Sequence, residues 1–133
     1  MPGNSETAEL LRTSRSWDGA ALPPYPAGTP LLVAKRIIFP AGHRTGWHYH
    51  TVLNYGIVAQ GNLTVVCRDG TERTFHEGEA LVEVVGAVHR GENRGSTPVV
   101  LHMFYASTPG QTETVEAEGP AQPVGTGGEA VSL

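Results

Sequence analysis

Residues 42–61 read GHRTGWHYHTVLNYGIVAQG and place two histidines, His48 and His50, on either side of one residue. Side chains two positions apart on a β-strand project from the same face, so both imidazoles can enter one cavity. Two imidazoles joined by a third ligand from another strand can hold a transition metal ion. By itself, a histidine pair with this spacing can also be exposed or simply packed against its neighbours. Whether His48 and His50 bind a metal must therefore be judged from the rest of the chain.

The rest of the 133-residue chain indicates many short strands. It contains 17 glycines and 10 prolines, with an apolar content of 39%. Apolar runs of five to nine residues are separated by turn residues, of which Asp69-Gly70 is a strong hairpin signal. We predict strands at 31–39, 54–59, 63–67, 71–75, 80–85 and 98–105, and therefore an all-β antiparallel sandwich or barrel.

The chain divides into three parts. Residues 1–16 are polar and are predicted to form a flexible N-terminal arm, with a short helix as the alternative. Residues 17–106 form the barrel domain, which begins with a proline-rich extended segment up to Pro30. Residues 107–133 are rich in Gly, Pro, Glu and Thr. We expect this tail to be poorly ordered, because it has too few large apolar side chains to offset its ordering entropy.

Composition also bounds the function. The net charge is −4 and no basic run is longer than Lys35-Arg36, so a nucleic-acid partner is not expected. No apolar stretch approaches the roughly 20 residues of a membrane span, and the N-terminus lacks the apolar core of a secretory signal. The single cysteine, Cys67, lies in an apolar run and is expected to be a buried, reduced thiol. We therefore expect a cytoplasmic protein whose partner is a small molecule.

Two spaced motifs connect the chain to a known family. The first consists of Gly42, five residues, His48-Tyr49-His50, three residues, Asn54, six residues and Gly61. The second consists of Gly78, five residues, Val84, one residue, Gly86, two residues, His89, three residues and Asn93. With both motifs in this order, residues 31–105 resemble the small single-domain bacterial members of the cupin superfamily.

The resemblance implies a cupin-type antiparallel β-barrel, or jelly roll, and often a homodimer. It also implies that His48, His50 and His89 hold one divalent metal, with Fe(II), Mn, Zn, Ni and Co as the candidates. The family usually has a glutamate ligand where this chain has Asn54, whose amide can coordinate a metal but brings no charge. It usually has proline where this chain has Val84.

Two further residues are candidates for proton transfer. Glu83 lies in the apolar run 80–85, and a buried carboxylate is costly unless it is paired or bound to metal. Glu83 either lines the metal cavity, as a fourth ligand or general base, or faces solvent at a strand end. His102 lies in the run 98–105, and if it faces inward, so do Val100 and Phe104. The alternative is a packed or outward-facing histidine.

The remaining polar and aromatic residues near the motifs have simpler interpretations. Trp47 and Tyr49 alternate with the two histidines of the first motif, so we expect them on the opposite face, in packing or a subunit interface. His43 and His76 lie beside glycine turns and are expected at the surface. Arg90 is interpreted as a solvated turn residue, with a clamp for an acidic substrate as the alternative.

These features predict a metal-dependent enzyme that acts on a small oxygenated metabolite. Three neutral imidazoles and an amide leave a divalent ion uncompensated, which favours an anionic ligand. We favour dioxygenase-like chemistry, because three-histidine sites without a carboxylate resemble those of some cupin dioxygenases. Lewis-acid isomerase, lyase or cyclase chemistry is the second possibility, and a non-catalytic small-molecule binding or sensor cupin is the alternative to an enzyme.

Overall fold

The structure, a computed structural model, describes residues 3–120 and confirms the all-β prediction. In that range no helix is long and apolar enough to cross a bilayer. The described part of the chain forms nine strands: β1 (Leu31–Phe39), β2 (His48–His50), β3 (Leu53–Gln60), β4 (Leu63–Cys67), β5 (Glu72–Phe75), β6 (Ala80–Val82), β7 (His89–Glu92), β8 (Val99–Ser107) and β9 (Thr114–Glu116).

The strands form two antiparallel sheets that pack face to face. The first sheet has the order β1-β8-β3-β6 and the second has the order β5-β4-β7-β2-β9. The core lies between them and includes Phe39, Val58, Leu63 and Val99, which are each between 0 and 2% exposed. The three longest strands, β1, β3 and β8, lie in the first sheet together with the short β6. The histidine-bearing strands β2 and β7 lie inside the second sheet.

The strands that the apolar runs did not predict are short. Both β2 and β7 carry histidines in place of an apolar run. The strand β9 lies within the segment expected to be a poorly ordered tail, where it pairs with β2 along three residues. This pairing covers an edge of β2 that would otherwise expose its backbone groups. Residues 121–133, the remainder of the predicted tail, lie outside the described residues.

The N-terminal arm contains no helix in its described part, residues 3–16. Its last residues are held by a β-bridge between Arg15 and Ala21. The chain then docks on the edge of the first sheet, where the Trp17 backbone nitrogen donates to the Val82 carbonyl oxygen at 3.0 Å. The arm therefore enters the barrel domain next to the end of β6.

Two glycines of the motifs are required by their backbone geometry. Gly61 has φ of 78°, and a Cβ there would lie 2.7 Å from the Pro98 carbonyl oxygen. Gly86 has φ of 79°, and its backbone nitrogen donates to the His50 carbonyl oxygen at 2.8 Å. Side chains rarely adopt this left-handed region, so glycine is the favoured residue at both turns. The second turn also connects the two motifs directly, because it bonds to the strand that carries His50.

Candidate metal centre

Three histidines from two strands meet on the inner face of the second sheet. His48 and His50 lie on β2, and His89 lies at the start of β7, paired with His48. The ring centroids are 4.5 to 5.2 Å apart, and the three residues are only 1 to 3% exposed. One ring nitrogen from each lies within 4.8 Å of the others, so the group can hold a metal ion. The structure thus brings together the three histidines that the motifs identified.

The hydrogen bonds of these rings leave the same nitrogen of each available. The Nδ1 atom of His48 lies 2.8 Å from the Gly46 carbonyl oxygen. The Nδ1 atom of His89 lies 2.8 Å from the Ala87 carbonyl oxygen. A carbonyl oxygen can only accept, so these Nδ1 atoms carry the proton in the neutral rings. In His50, Nδ1 lies 3.0 Å from Thr114 Oγ1. The Nε2 lone pairs of His48 and His89 are therefore left for a ligand, as in metal sites whose histidines are oriented by a second hydrogen bond. The Thr114 hydroxyl can orient His50 in the same way by accepting from its Nδ1.

The environment keeps His48 and His50 neutral at neutral pH. Burial, followed by the charge that His89 can carry, lowers the pKa of His48 to about 4. Burial, followed by His89 and His48, lowers the pKa of His50 to about 2. Metal ligands must be deprotonated, so imidazoles with low pKa values compete for a cation without first losing protons at neutral pH.

Two buried atoms at the site have no hydrogen-bond partner among the described residues. They are Asn54 Oδ1 and His89 Nε2. Asn54 is 1% exposed on the inward side of β3, and its Nδ2 donates to the Val52 carbonyl oxygen at 3.2 Å. A buried polar atom without a partner costs about 1–3 kcal/mol, which a bound cation and its ligands would offset. The residues present therefore fit a metal ion.

Glu83 lies beside the histidines and not in solvent. It follows the last residue of β6 and is 7% exposed. Its Oε1 accepts from Trp17 Nε1 at 2.8 Å and from the Val84 backbone nitrogen at 3.1 Å. Its Oε2 lies 3.7 Å from His89 Nε2. Of the two interpretations of Glu83, the structure supports the one that places it at the metal cavity.

The structure does not bring His102 to this site. In β8 the inward residues are Val99, Leu101, Met103 and Tyr105, which are 0 to 4% exposed. His102 therefore lies on the outer face of the first sheet, where its Nε2 accepts from Arg36 Nε at 3.1 Å. A ring on that face cannot exchange a proton with a ligand held by the three histidines, so the acid–base role considered for His102 is not retained.

The other residues considered near the motifs lie away from the three rings. Arg90 Cζ lies 4.5 Å from the Trp47 ring centroid, and Arg90 Nε lies 2.8 Å from Glu92 Oε2. Strand alternation places Arg90 and Tyr49 opposite the neighbouring histidines of their strands.

The two histidines beside glycine turns do not join the three rings either. His76 is exposed, with Nδ1 3.0 Å from Asn62 Oδ1. His43 is half-buried, and its ring packs edge-on to Phe39 at 5.7 Å.

Tyr105 and Lys35 are among the residues near the site that were not identified from the sequence. Tyr105 is 3% exposed and its ring lies 5.9 Å from that of His50. Burial, followed by the negative charge of Glu83, raises the pKa of Tyr105 to about 12, so the phenol stays neutral. Lys35 Nζ lies 5.0 Å from the Tyr105 ring centroid, on the inward side of β1. The position of Tyr105 follows from strand alternation only once the inward side of β8 is known.

A third unpredicted residue is Thr114, on β9. His50 differs from the other two histidines because its Nδ1 is held by a side chain from a distant segment, 64 residues along the chain. Replacing Thr114 by valine keeps the shape and removes the hydroxyl. We expect this change to weaken metal binding by about 10- to 100-fold, the usual effect of losing an outer partner of a ligand histidine.

Titration of Co(II) against a competing chelator measures this effect. Thr114→Ser should restore most of the affinity, because it restores the hydroxyl. Thr112→Val is the matched control, since Thr112 is exposed and contributes only its carbonyl oxygen, to the Thr51 hydroxyl. An unchanged affinity in Thr114→Val would show that the Glu113 carbonyl oxygen, which also lies near the His50 ring, is sufficient to orient it.

Sequence comparison identifies a domain family. Residues 35–105, more than half of the chain, match the family model described as Cupin domain. Among curated proteins, no sequence matches this chain.

Solved structures share the fold at low sequence identity. DMSP lyase DddQ from Ruegeria pomeroyi is 16% identical with a TM-score of 0.57, over 68% of this chain and 45% of the lyase. An uncharacterized conserved protein with a double-stranded beta-helix domain from Klebsiella pneumoniae is 20% identical with a TM-score of 0.57, over 73% of this chain and 90% of that protein. Oxalate decarboxylase from Bacillus subtilis, which has Mn(II) centres, is 18% identical with a TM-score of 0.53, over 64% of this chain and 23% of the decarboxylase. The chain therefore spans less than half of either enzyme, and the likeness concerns the fold.

Proposed function

Since this chain belongs to the cupin family, we propose that it is a metal-dependent enzyme that acts on a small, anionic, oxygenated metabolite. The observation that carries the proposal is the convergence of three buried histidines whose Nδ1 atoms are all hydrogen-bonded, which leaves their Nε2 atoms for one ion. His48, His50 and His89 would hold the ion, and the Asn54 amide oxygen is the candidate for a further ligand.

The charges around the cluster support an anionic ligand. Three neutral imidazoles and an amide bring no charge to a divalent ion, and Glu83 supplies one negative charge near His89. A positive charge therefore remains for the ligand to balance. Lys35 adds a second attraction, since its charge is close enough to act on His50.

The residues beside the histidines support acid–base chemistry. When bound, the metal would act as a Lewis acid toward an oxygen of the ligand. Glu83 is the candidate to accept a proton, because its Oε2 faces His89 while Oε1 is fixed by two donors. Tyr105 is the candidate to donate a hydrogen bond or proton, because its phenol is neutral. A lyase and a decarboxylase among the proteins that share the fold agree with this class of reaction.

Dioxygenase-like chemistry is the second candidate. It is favoured by the composition of the ligand group, which in the described part of the chain consists of three histidines without a carboxylate. Dioxygen uptake by the Fe(II)-loaded protein with β-diketones, catechols and 2-hydroxy ketones distinguishes the two reactions. Metal and ligand binding without turnover of any compound would identify a binding or sensor protein instead.

Lys35 and Arg36 provide a direct test of the anionic ligand. They are neighbours on β1, but Lys35 lies near Tyr105 and Arg36 bonds to His102 on the outer face. Carboxylates such as glycolate and malonate should change the visible spectrum of the Co(II)-loaded protein. Lys35→Met should weaken their binding about fivefold, which corresponds to about 1 kcal/mol, the upper end of the range for an exposed charge such as Lys35. Arg36→Met should leave it unchanged. Equal binding of carboxylates and their neutral amides would contradict the proposal.

We also propose that the protein is a homodimer in the cytoplasm. The outer face of the first sheet carries several exposed apolar side chains, namely Leu32, Ile38, Tyr55 and Phe104, which are 40 to 80% exposed. Apolar surface of this kind favours association. The free, buried thiol of Cys67 agrees with a reducing compartment. Sedimentation analysis distinguishes the dimer from a monomer.

A further inference from the structure

The Glu83 carboxylate is held asymmetrically. Oε1 accepts two hydrogen bonds, from the Trp17 indole N–H at 2.8 Å and from the Val84 backbone N–H at 3.1 Å. A carboxylate oxygen accepts readily along two lone-pair directions, so Oε1 is fully engaged. Oε2 is then the oxygen that remains to act, and it is the one 3.7 Å from His89 Nε2.

The position of the Trp17 indole is fixed independently of Glu83. Its ring packs edge-on to Phe75 of β5, with centroids 6.1 Å apart and planes at 80°. Its backbone nitrogen donates to the Val82 carbonyl oxygen at 3.0 Å. These contacts attach the segment after the arm to both sheets, so the indole N–H arrives at Glu83 in a defined orientation. Trp17 lies outside the family match at 35–105, in a part of the chain that the motifs do not describe.

The second donor depends on the residue at position 84. Val84 is buried, at 1% exposed, and its backbone N–H reaches the carboxylate of the preceding residue. Proline has no backbone N–H and could not make this bond. The acidic residue at 83 and the valine at 84 are therefore parts of one arrangement: the first supplies a buried carboxylate, and the second supplies one of its donors.

We propose that Trp17 is a positioning residue of the metal centre: its indole N–H holds Oε1 of Glu83 so that Oε2 faces the ion bound by the three histidines. The proposal rests on the proposed metal site. It adds to that site the proline-rich segment that precedes β1, because Trp17 of this segment would orient the Glu83 carboxylate beside the ion.

A double-mutant cycle on Co(II) affinity tests this role in the full-length protein. Trp17→Phe keeps an aromatic ring on Phe75 and removes the N–H donor, and we expect it to weaken Co(II) binding by about 10-fold. Glu83→Gln should weaken binding at least as much. In the double variant Trp17→Phe should have no further effect, because Glu83→Gln keeps one oxygen for the indole N–H but replaces the oxygen that Trp17 would orient toward the ion by an amide nitrogen. A full additional loss in the double variant would overturn the proposal, since Trp17 would then act by another route. Trp47→Phe, a change of the other tryptophan, is the control and should bind Co(II) normally.

Tryptophan fluorescence tests the contact without relying on affinity. In the Trp47→Phe protein Trp17 is the only tryptophan. Glu83→Gln should change its emission even in metal-free protein, because it removes the negative charge beside the indole N–H. Zn(II) should also change this emission, while the emission of Trp47 in the Trp17→Phe protein should stay constant. If the emission of Trp17 were the same with and without Glu83→Gln, the proposal would be overturned. A wild-type protein that binds neither metal would contradict the proposed function, and the metal-free measurement would still decide whether Trp17 holds Glu83.

Discussion

Replacing His89 by alanine is expected to weaken metal binding by more than about 100-fold, which exceeds the roughly 10- to 100-fold effect of losing an outer partner of a ligand. The His89 ring contacts both other rings, with its centroid 4.5 Å from that of His48 and 4.9 Å from that of His50. It also belongs to a different strand, so its loss leaves two ligands on β2 alone. Two imidazoles from one short strand do not enclose a cation.

Elemental analysis of the purified variant, together with Co(II) titration, measures this loss. His102→Ala is the matched control, because its ring bonds to Arg36 on the outer face and its removal should leave metal content unchanged. Thermal unfolding gives an independent reading, since a metal at 100 times its Kd stabilises the folded state by about 2.7 kcal/mol. That stabilisation should be present in wild type and His102→Ala and absent in His89→Ala. A fully loaded His89→Ala protein would exclude this site.

The fold and the three histidines could be predicted from the sequence because each depends on a pattern that is visible in it. The strands follow from local apolar runs, and the histidine group follows from the spacing of the two motifs. The strands β1, β4 and β8 contain apolar runs bounded by turn residues, and the motif spacing brought His48, His50 and His89 into one group. Short strands such as β9 carry no such signal. Its three residues, Thr114–Glu116, form a strand because the edge of β2 is available for pairing.

The orientation of His102 could not be derived from the sequence for a specific physical reason. Strand alternation tells which residues share a face, but a strand with apolar residues on both faces does not show which face is inward. In β8 both Leu101 and Phe104 are apolar, yet Leu101 is 4% exposed and Phe104 is 40% exposed. The first sheet covers the core on one side and presents apolar residues on the other, so hydrophobicity alone did not separate them.

The contacts of Glu83 and His50 could not be predicted because they join distant segments through side chains. Trp17 is 66 residues from Glu83, and Thr114 is 64 residues from His50. Both partners come from segments on either side of the family match at 35–105. Motif spacing identifies the groups that a barrel brings together, whereas the groups that orient them depend on how the flanking segments pack in this chain.

The metal-free protein is expected to lose about 4 kcal/mol of stability between pH 7.5 and pH 5. The cause is the difference in pKa between the folded and unfolded histidines. Burial, followed by neighbouring histidine charge, lowers the pKa to about 4 for His48 and to about 2 for His50, whereas both return to about 6.5 in the unfolded chain. Below pH 6.5 the unfolded state therefore binds more protons than the folded state, so the free energy of unfolding falls as the pH falls. Each histidine contributes up to about 1.4 kcal/mol per pH unit until its folded pKa is reached.

Urea unfolding in the presence of a chelator measures this dependence. His48→Gln should remove about half of the loss, because glutamine takes up no proton in the unfolded state, and the double variant with His50→Gln should remove most of it. His76→Gln is the matched control, since His76 is exposed in the folded protein and should leave the pH dependence as in wild type. The comparison is confined to pH values above 5, where carboxylates with ordinary pKa values of about 4 contribute little. If wild type and the double variant lost the same stability over this range, the two rings would not be buried and neutral in the folded state, and the environment that prepares them to bind a cation would be absent.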